Sequence, residues 1–322
     1  MMKKQLTLVG AALFFCTAAV AQNWPDKPIK LVVPYPAGGG VDSVARILGL
    51  QLSKILGQQI IVDNKSGASG AIGAHFVVTS PPDGYTFLLA SPAEVLVSPI
   101  AGQSMPYDPN KDLVPVALAG ETPLAIVAHP SVAPDGLAAL LKNPAEPSRK
   151  RSYGTPGAGS TMHFAGEALK AGTGLGWLHV PYKGAAPAVN DVLGNQIDIV
   201  IVGLPPVIPH IKSGRLTALA VTSLKRSPVL PNVPAVSEFP KMEGFRFTNW
   251  MGVFAPVGTP DAAIERFGRA VEEAVKDPAT SKRLLEAGVE PNGVRGAGFE
   301  KFLADERNRY QDVARRTNVK VN

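Results

Sequence analysis

Four loops of this chain have the composition of anion-binding loops. They lie at residues 34–42, 64–70, 153–161 and 180–185, and each contains glycine together with other small residues. Each follows a predicted strand and precedes a predicted helix, which is where open α/β sheets bind ligands. Glycine lets the backbone approach a ligand closely, and a helix start attracts negative charge. The loops therefore predict a site for an anion.

One glycine loop alone is weak evidence, because it also fits a flexible connection between a strand and a helix. Here two loops lie in the first part of the chain and two in the second. We interpret them as two amide-rich surfaces facing one cleft. Two or three charge-assisted bonds of roughly 1.5–3 kcal/mol each would give micromolar affinity after ordering costs.

Polar side chains in the third and fourth loops suit the same ligand. Ser160 or Thr161 can cap the helix that follows, and their hydroxyls can serve a carboxylate. Tyr182 and Lys183 could reach a ligand from the fourth loop. A solvated lysine is the alternative interpretation of Lys183.

Strands and helices alternate along almost the whole chain, which indicates α/β layers with parallel sheets. Apolar residues recur every three or four positions through residues 44–56, and Gly57 ends that helix. Asp42 and Ser43 are suitable N-caps for it. Residues 105–114 are expected to form a connection. The predicted strands are 29–33, 59–63, 85–90, 124–128, 152–154, 177–181, 197–202, 216–222 and 249–255; the predicted helices are 44–56, 71–80, 161–171, 185–193, 206–212, 260–276 and 297–316.

The first 21 residues have the pattern of a secretory signal peptide. Lys3 and Lys4 precede an apolar run, and residues 19–21 supply small side chains for cleavage before Gln22. The alternative is an N-terminal membrane anchor. A lipoprotein is rejected because Phe15 precedes Cys16, the only cysteine. We therefore expect a periplasmic protein that, after cleavage, has neither disulfides nor thiolates.

Size and charge limit the remaining possibilities. About 300 residues remain after cleavage, which favours two domains. The net charge of +6 falls to about +4 and helps to attract anions. The basic residues are scattered and not interleaved with aromatic ones, so nucleic-acid binding is not expected.

The motifs of enzymes and metalloproteins are weak or missing. No H-E-x-x-H or nucleotide-phosphate motif occurs, so we expect no metal and no cofactor. Residues 67–71 approach the G-x-S-x-G nucleophile elbow, with Ser69 as the candidate nucleophile. None of the five histidines lies in a recognisable triad motif. A serine hydrolase is therefore kept only as an alternative.

The chain resembles the substrate-binding proteins of tripartite tricarboxylate transporters, also called Bug receptors, over nearly its full length after residue 21. The segments that carry the resemblance are 34–39 with Asp42, 62–65, 67–70, 82–86, 153–160 with His163, 180–184, 219–223, 230–234, and Trp250 with 255–260.

The resemblance implies a type II periplasmic-binding-protein fold with two α/β domains that close on the ligand. It implies that the first two loops grip one ligand carboxylate, partly through water, and that the other two loops face them. Family ligands include di- and tricarboxylates, amino acids and aromatic acids. The expected ligand-binding residues are Tyr35, Pro36, Ala37, Gly38, Gly39, Asp42, Ala68, Ser69, Gly70, Ser91, Gly154, Thr155, Gly157, Gly159, Ser160, Thr161, His163, Lys183, Gly184 and Ala185.

The second loop departs from the family pattern Asn-Arg-Pro-Gly-Ala-Gly-Gly. This chain has Lys65 for Arg, Ser66 for Pro and Ser69 for the first Gly of the final pair. Ser66 restores a backbone N–H, and Ser69 adds a hydroxyl. Either change could alter the choice of ligand or the placement of water.

Together these observations predict a non-catalytic, monomeric receptor that passes a small carboxylate to membrane transporter subunits. The expected first domain comprises residues 22–121 and 224–322, and the second comprises 122–223. Two alternatives remain besides transport: the serine hydrolase and a ligand sensor for a membrane kinase.

Overall fold

The computed structural model describes residues 24–133, 135–142, 151–317 and 319. The predicted signal peptide lies outside the described residues. The strands are β1 (Ile29–Val33), β2 (Ile60–Asn64), β3 (Thr86–Ala90), β4 (Leu113–Ala128), β5 (Ser152–Thr155), β6 (Leu178–Pro181), β7 (Ile199–Gly203), β8 (Thr217–Val221), β9 (Thr248–Pro256) and β10 (Glu290–Pro291).

The helices alternate with the strands, as the sequence predicts. They are α1 (Gly40–Leu56), α2 (Ala71–Val78), α3 (Ser98–Ile100), α4 (Gly136–Lys142), α5 (Thr161–Thr173), α6 (Ala185–Leu193), α7 (Ile208–Lys212), α8 (Asp261–Lys276), α9 (Pro278–Glu286) and α10 (Ala297–Thr317). Ala68–Gly70 and Val236–Glu238 form 3₁₀ turns, and Ala93–Val97 forms a π-helical turn before α3.

Two parallel groups of strands are joined by antiparallel crossing strands. The order is β2-β1-β3-β9-β4-β7-β5-β6, with β8 and β10 also paired to β4. The groups β2-β1-β3 and β7-β5-β6 are parallel, while β9 and β4 run antiparallel to their neighbours. The predicted α/β class is confirmed, and the parallel prediction holds within each group.

Strand β4 passes from one group to the other. Its residues 113–123 pair with β9, and Leu124–Ala128 pair with β7. The prediction of a strand at 124–128 recovers only its second part, and residues 113–114 belong to β4 rather than to the predicted connection. Pro115 and Pro123 lie within β4 and hid its length, because proline usually marks the interruption of a strand.

Separate apolar cores cover the two groups. Helix α1 buries Val44, Leu48 and Leu52, one per turn, against the first group. Around the second group, α5 and α6 contribute to two further cores. Helix α10 contacts both regions, since Phe299 packs in a core with β3 and Tyr310 packs in one with α5.

The chain between β8 and β9 packs with the second group of strands. Leu230 and Ala235 lie in the core beside α6, and Phe245 and Phe247 lie in the core beside α5. Burial of these side chains away from water stabilises that arrangement. The Pro-rich stretch at residues 228–240, which contains Leu230 and Ala235, therefore supplies core residues as well as a connection.

Candidate functional site

The first loop ends in a helix start that has no side-chain cap. Helix α1 begins at Gly40 after Gly39, so the predicted cap by Asp42 or Ser43 is wrong. The helix begins earlier because the glycines accept its entry geometry, with Gly38 at φ +82°. Ser43 N bonds Gly39 O, which leaves the first-turn N–H groups of residues 40–42 without intrahelical acceptors. Those donors and the helix dipole attract an anion.

Asp42 holds the first loop in this shape. Its carboxylate is 2% exposed and accepts bonds from Gly38 N at 2.8 Å, Arg46 Nε at 2.9 Å and Asn64 Nδ2 at 3.0 Å. Burial raises the pKa of Asp42, but these bonds outweigh it and bring the pKa below its ordinary value. Asn64 also donates to Tyr35 O, so the first two loops are linked.

The second loop is a left-handed turn of four consecutive residues. Their φ angles are +134° at Gly67, +47° at Ala68, +52° at Ser69 and +93° at Gly70. Such angles cost free energy at Ala68 and Ser69, and this kind of strain clusters at functional sites. Both side chains are exposed, and Gly70 precedes α2 without a side-chain cap. The turn thus presents backbone and the Ser69 hydroxyl at the surface.

A ring of three oxygen atoms lies beneath both loops. Tyr35 Oη is 2.8 Å from Ser91 Oγ and 2.7 Å from Glu94 Oε2, and Ser91 Oγ is 2.8 Å from the same Oε2. Ser91 N donates to Glu94 Oε1 at 2.7 Å. A Cβ at Gly70 would lie 2.9 Å from Oε2, so the carboxyl group supports the second loop from below.

Burial raises the pKa of Glu94 to about 7, and burial beside that carboxyl raises the pKa of Tyr35 well above its ordinary value. Glu94 is not among the residues predicted from the sequence. The available signal was a single acidic residue within the apolar segment Ala93–Val97.

The third loop is shaped by its own polar side chains. Ser160 caps α5, as predicted, by accepting from His163 N at 3.2 Å, and it donates to Gly157 O at 2.7 Å. Gly159 N donates to His163 Nδ1 at 3.0 Å. Thr155 Oγ1 bonds Gly157 O at 3.1 Å. The loop is therefore preorganised by bonds among its own residues.

Two stacked imidazoles lie behind this loop. The rings of His163 and His179 are 3.8 Å apart and nearly parallel, and His179 Nε2 is 2.7 Å from Thr155 Oγ1. Burial, and then the neighbouring His163, lower the pKa of His179 to about 4; burial also lowers the pKa of His163. Near neutral pH both rings are uncharged. His163 must be uncharged at Nδ1 to accept the N–H of Gly159.

The fourth loop is attached to the third. Tyr182 N donates to Thr155 O and Gly184 N donates to Pro156 O, both at 2.9 Å. Tyr182 Oη donates to Asp191 Oδ2 at 2.6 Å, which fixes its side chain on α6. Lys183 is exposed and has no ion pair among the described residues. It is free to approach an anion.

The structure thus brings the predicted residues together as two pairs of loops. The first pair is linked through Asp42 and Asn64, and the second through the backbone bonds to Thr155 and Pro156. Ser69 forms no hydrogen bond within the part of the chain that the structure describes. The stacked histidines belong to the other pair of loops, where Nδ1 of His163 and Nε2 of His179 already have partners.

The described residues contain neither a metal-binding cluster nor a membrane-spanning helix. No group of three or more His, Cys, Asp or Glu side chains there could hold a metal ion. None of the helices in the described ranges has the length and apolar character needed to cross a bilayer.

The two parallel strand groups, the crossing strands and the uncapped helix starts define a solute-binding protein of the periplasmic type. Residues 44–319 match the family described as the tripartite tricarboxylate transporter family receptor. The chain belongs to this family. The resemblance seen in the sequence is thereby confirmed.

Curated relatives match over nearly the full chain. Protein BugT of Bordetella pertussis is 35% identical over 326 residues, which cover 99% of each chain. The UPF0065 protein in the tcbD-tcbE intergenic region of Pseudomonas sp. (strain P51) is 36% identical over 306 residues, covering 94% of this chain and 90% of the relative.

Solved structures of similar proteins contain carboxylates. The R. palustris protein Rpa4515 with adipate is 32% identical with a TM-score of 0.80, covering 92% of this chain and 99% of that one. MatC from Rhodopseudomonas palustris, with bound malate, is 27% identical with a TM-score of 0.74, covering 90% and 99%.

Proposed function

We propose that this chain is a periplasmic receptor, without catalytic turnover, that captures a small carboxylate for the membrane subunits of a tripartite tricarboxylate-type transporter. The observation that carries the proposal is the pair of uncapped helix starts, α1 and α2, behind two linked and exposed loops. A carboxylate satisfies such amides and the positive helix ends. The adipate and malate of the two R. palustris proteins support this ligand class.

The proposed site divides its work between the loop pairs. Residues 35–39 and 68–70 grip one carboxylate through backbone N–H groups and the Ser69 hydroxyl. Residues 154–161 and 183–185 contact the rest of the molecule, with Lys183 suited to a second carboxylate. Asp42, Ser91 and His163 support the loops, since their polar atoms are bonded to protein. Discrimination among acids then depends on the second pair.

Export and organisation form part of the proposal. Residues 1–21 act as a signal peptide with cleavage before Gln22, and the exported receptor is a monomer. The first domain contains β1–β3 and the second contains β5–β8. The core positions of Phe245 and Phe247 favour a return to the first domain at β9, beyond the predicted residue 224. Mass spectrometry of the exported chain and light scattering test cleavage and oligomeric state.

A proline substitution at the first helical position tests the grip directly. Gly40→Pro removes one N–H, and proline fits there because Gly39 has φ −76° and ψ 171° and because a Cβ at position 40 meets open space. Gly40→Ala keeps the N–H and is the matched control. Calorimetric titration with mono-, di- and tricarboxylates, including adipate and malate, gives the affinities.

We expect Gly40→Pro to weaken binding by about 1.5–3 kcal/mol, roughly 10- to 150-fold in Kd, and Gly40→Ala to bind within about threefold of the wild type. No binding of any acid by the wild type would overturn the proposed function. Equal affinity of the two variants would show that α1 does not hold the ligand. If the wild type hydrolyses esters and Ser69→Ala does not, the proposal that the receptor has no catalytic turnover would be wrong.

A further inference from the structure

The oxygen atoms of Tyr35, Ser91 and Glu94 form a ring of three contacts. If Glu94 is ionised, the ring has too few hydrogens for all three contacts to be hydrogen bonds. Its three oxygen–oxygen distances are 2.7, 2.8 and 2.8 Å, all of hydrogen-bond length. The two hydroxyls supply two hydrogens, so an ionised carboxylate leaves one side as two oxygens in contact without a proton. A protonated Glu94 supplies the third hydrogen and completes the ring.

The other bonds of Glu94 agree with this arrangement. Ser91 N donates to Oε1, which identifies Oε1 as the carbonyl oxygen and Oε2 as the hydroxyl oxygen of the acid. Glu94 is 0% exposed and forms no ion pair within the described residues. An unpaired buried charge is costly, and protonation avoids that cost.

Among the described residues, the surrounding elements bring no cation to the carboxyl group. Tyr107 donates its hydroxyl to Glu94 O at 2.8 Å, and His75 of α2 stacks on Tyr107 with ring centres 6.4 Å apart. From α10, Arg307 bonds Asn110 and lines a cavity with Val95 and Leu96. From the second loop, Gly70 faces the carboxyl group, since a Cβ at that position would lie 2.9 Å from Oε2.

A ligand carboxylate held by the first two loops would lie above this group. If Glu94 were ionised, two negative charges would face each other across Gly70 in a poorly solvated region. Like charges at one site raise the pKa of the group that can accept a proton. Binding is then favoured by the acid form of Glu94, which takes its proton from solvent.

We propose that Glu94 is a positioning residue whose protonation is coupled to carboxylate capture, so that the receptor takes up as much as one proton when the ligand binds. This inference rests on the proposed function. The balance is simple: the ligand carboxylate, the Glu94 carboxylate and one H⁺ give the complex with Glu94 as carboxylic acid. Burial places the pKa of Glu94 at about 7, so the uptake occurs from neutral to mildly alkaline pH.

The test titrates the full exported chain with adipate and malate, which stay fully ionised over this range. For the wild type we expect Kd to rise with pH above about 7, by at most about tenfold per pH unit for one linked proton. At a fixed pH of about 7.5, the heat should vary with the ionisation enthalpy of the buffer and report uptake of up to about one proton.

Glu94→Gln keeps the size and the ring contacts but cannot titrate, so its Kd and proton uptake should no longer depend on pH. Glu290→Gln is the matched control, because Glu290 is a half-buried carboxyl bonded to Ser227 whose pKa burial also raises. It should behave as the wild type. Difference infrared spectra of the wild type should show a carboxylic-acid C=O band on binding that Glu94→Gln lacks.

The outcomes are separable. Binding by the wild type with no pH dependence and no proton uptake overturns the coupling and leaves the proposed function intact. A pH dependence that persists in Glu94→Gln but is lost in Glu290→Gln also overturns it. If the wild type binds neither these two acids nor any other acid of the wider panel, the proposed function and the coupling are overturned together.

Discussion

The Glu94 carboxyl group lies directly beneath Gly70, so that a Cβ at position 70 would stand 2.9 Å from Oε2. Gly70 also has φ +93°. The second loop therefore depends on glycine for both its space and its backbone angle. Because Glu94 also bonds Tyr35, a displacement of this carboxyl group would reach both loops of the first pair.

We predict that Gly70→Ala destabilises the protein by about 2–4 kcal/mol. The substitution strains the backbone at a positive φ and places a Cβ so close to Glu94 that one of the two groups must move. Gly38→Ala is the control: it has φ +82° but open space around its Cβ, and should cost about 1–2 kcal/mol. Urea unfolding measures both. Equal losses would show that the contact with Glu94 is not tight.

The glycine loops could be predicted from sequence because local composition determines them. The glycines at 38–40 and the small residues at 67–70 predict loops whose backbone a ligand can approach closely. Ser160 predicts the N-cap of the helix that follows it. Glu94 could not be found in this way. Ser91 is only 3 positions away, but Tyr35 is 59 positions away in the first loop, so only the tertiary fold shows that the acid is buried beneath both loops.

The starts of two helices, α1 and α9, were not predicted correctly, in each case because of the residues that precede the helix. Asp42 has the chemistry of an N-cap, but the preceding glycines let α1 start at Gly40, before both predicted caps, and Asp42 instead ties Gly38 to Arg46. Helix α9 was not predicted, because only Asp277 separates the end of α8 from Pro278. Asp277 caps α9 by accepting from Thr280 N, a start signal that the preceding helix concealed.

Two substitutions at Ser69 separate the effect of its backbone strain from the effect of its hydroxyl group. Its φ of +52° favours glycine, so Ser69→Gly should change stability by about 1 kcal/mol or less in the stabilising direction. Ser69→Ala keeps the strain and removes only the hydroxyl. If the hydroxyl contacts the ligand, both variants should lose affinity by a similar factor in calorimetry. Unchanged affinity in both would assign the grip to the backbone alone.

The stacked histidines predict a loss of stability on acidification. The folded pKa of His179, about 4, lies below its unfolded value of about 6.5, so the unfolded chain binds more protons between these values. This contribution to stability is complete above about pH 6.5 and is lost as the pH falls towards about 4.

Thermal unfolding across this range should show a steeper pH dependence for the wild type than for His179→Gln. His129→Gln is the control, because the His129 ring is hydrogen-bonded to the nearby Ser131. The difference between variants also cancels the opposite trend expected from Glu94, whose raised pKa makes its contribution fall as the pH rises. Identical slopes in wild type and His179→Gln would contradict the prediction.

Arg246 should be the most sensitive ionic residue where the strand groups meet. It bonds Glu306 Oε1 at 2.8 Å and also Glu121, whose other contacts include Thr248 at 2.8 Å on β9. Arg309 contacts Glu306 as well. The two poorly exposed carboxylates, Glu121 and Glu306, are thus paired with two arginines, of which only Arg246 contacts both. Arg246→Met removes the cation between them. Glu306 then keeps Arg309, but Glu121 has no ion pair left among the described residues, which costs about 3–5 kcal/mol.

Arg226→Met is the control, because it breaks the exposed, bidentate pair with Glu238 and should cost less than about 1 kcal/mol. Urea unfolding compares the two, and a loss at Arg246 no larger than at Arg226 would mean that water already screens the cluster.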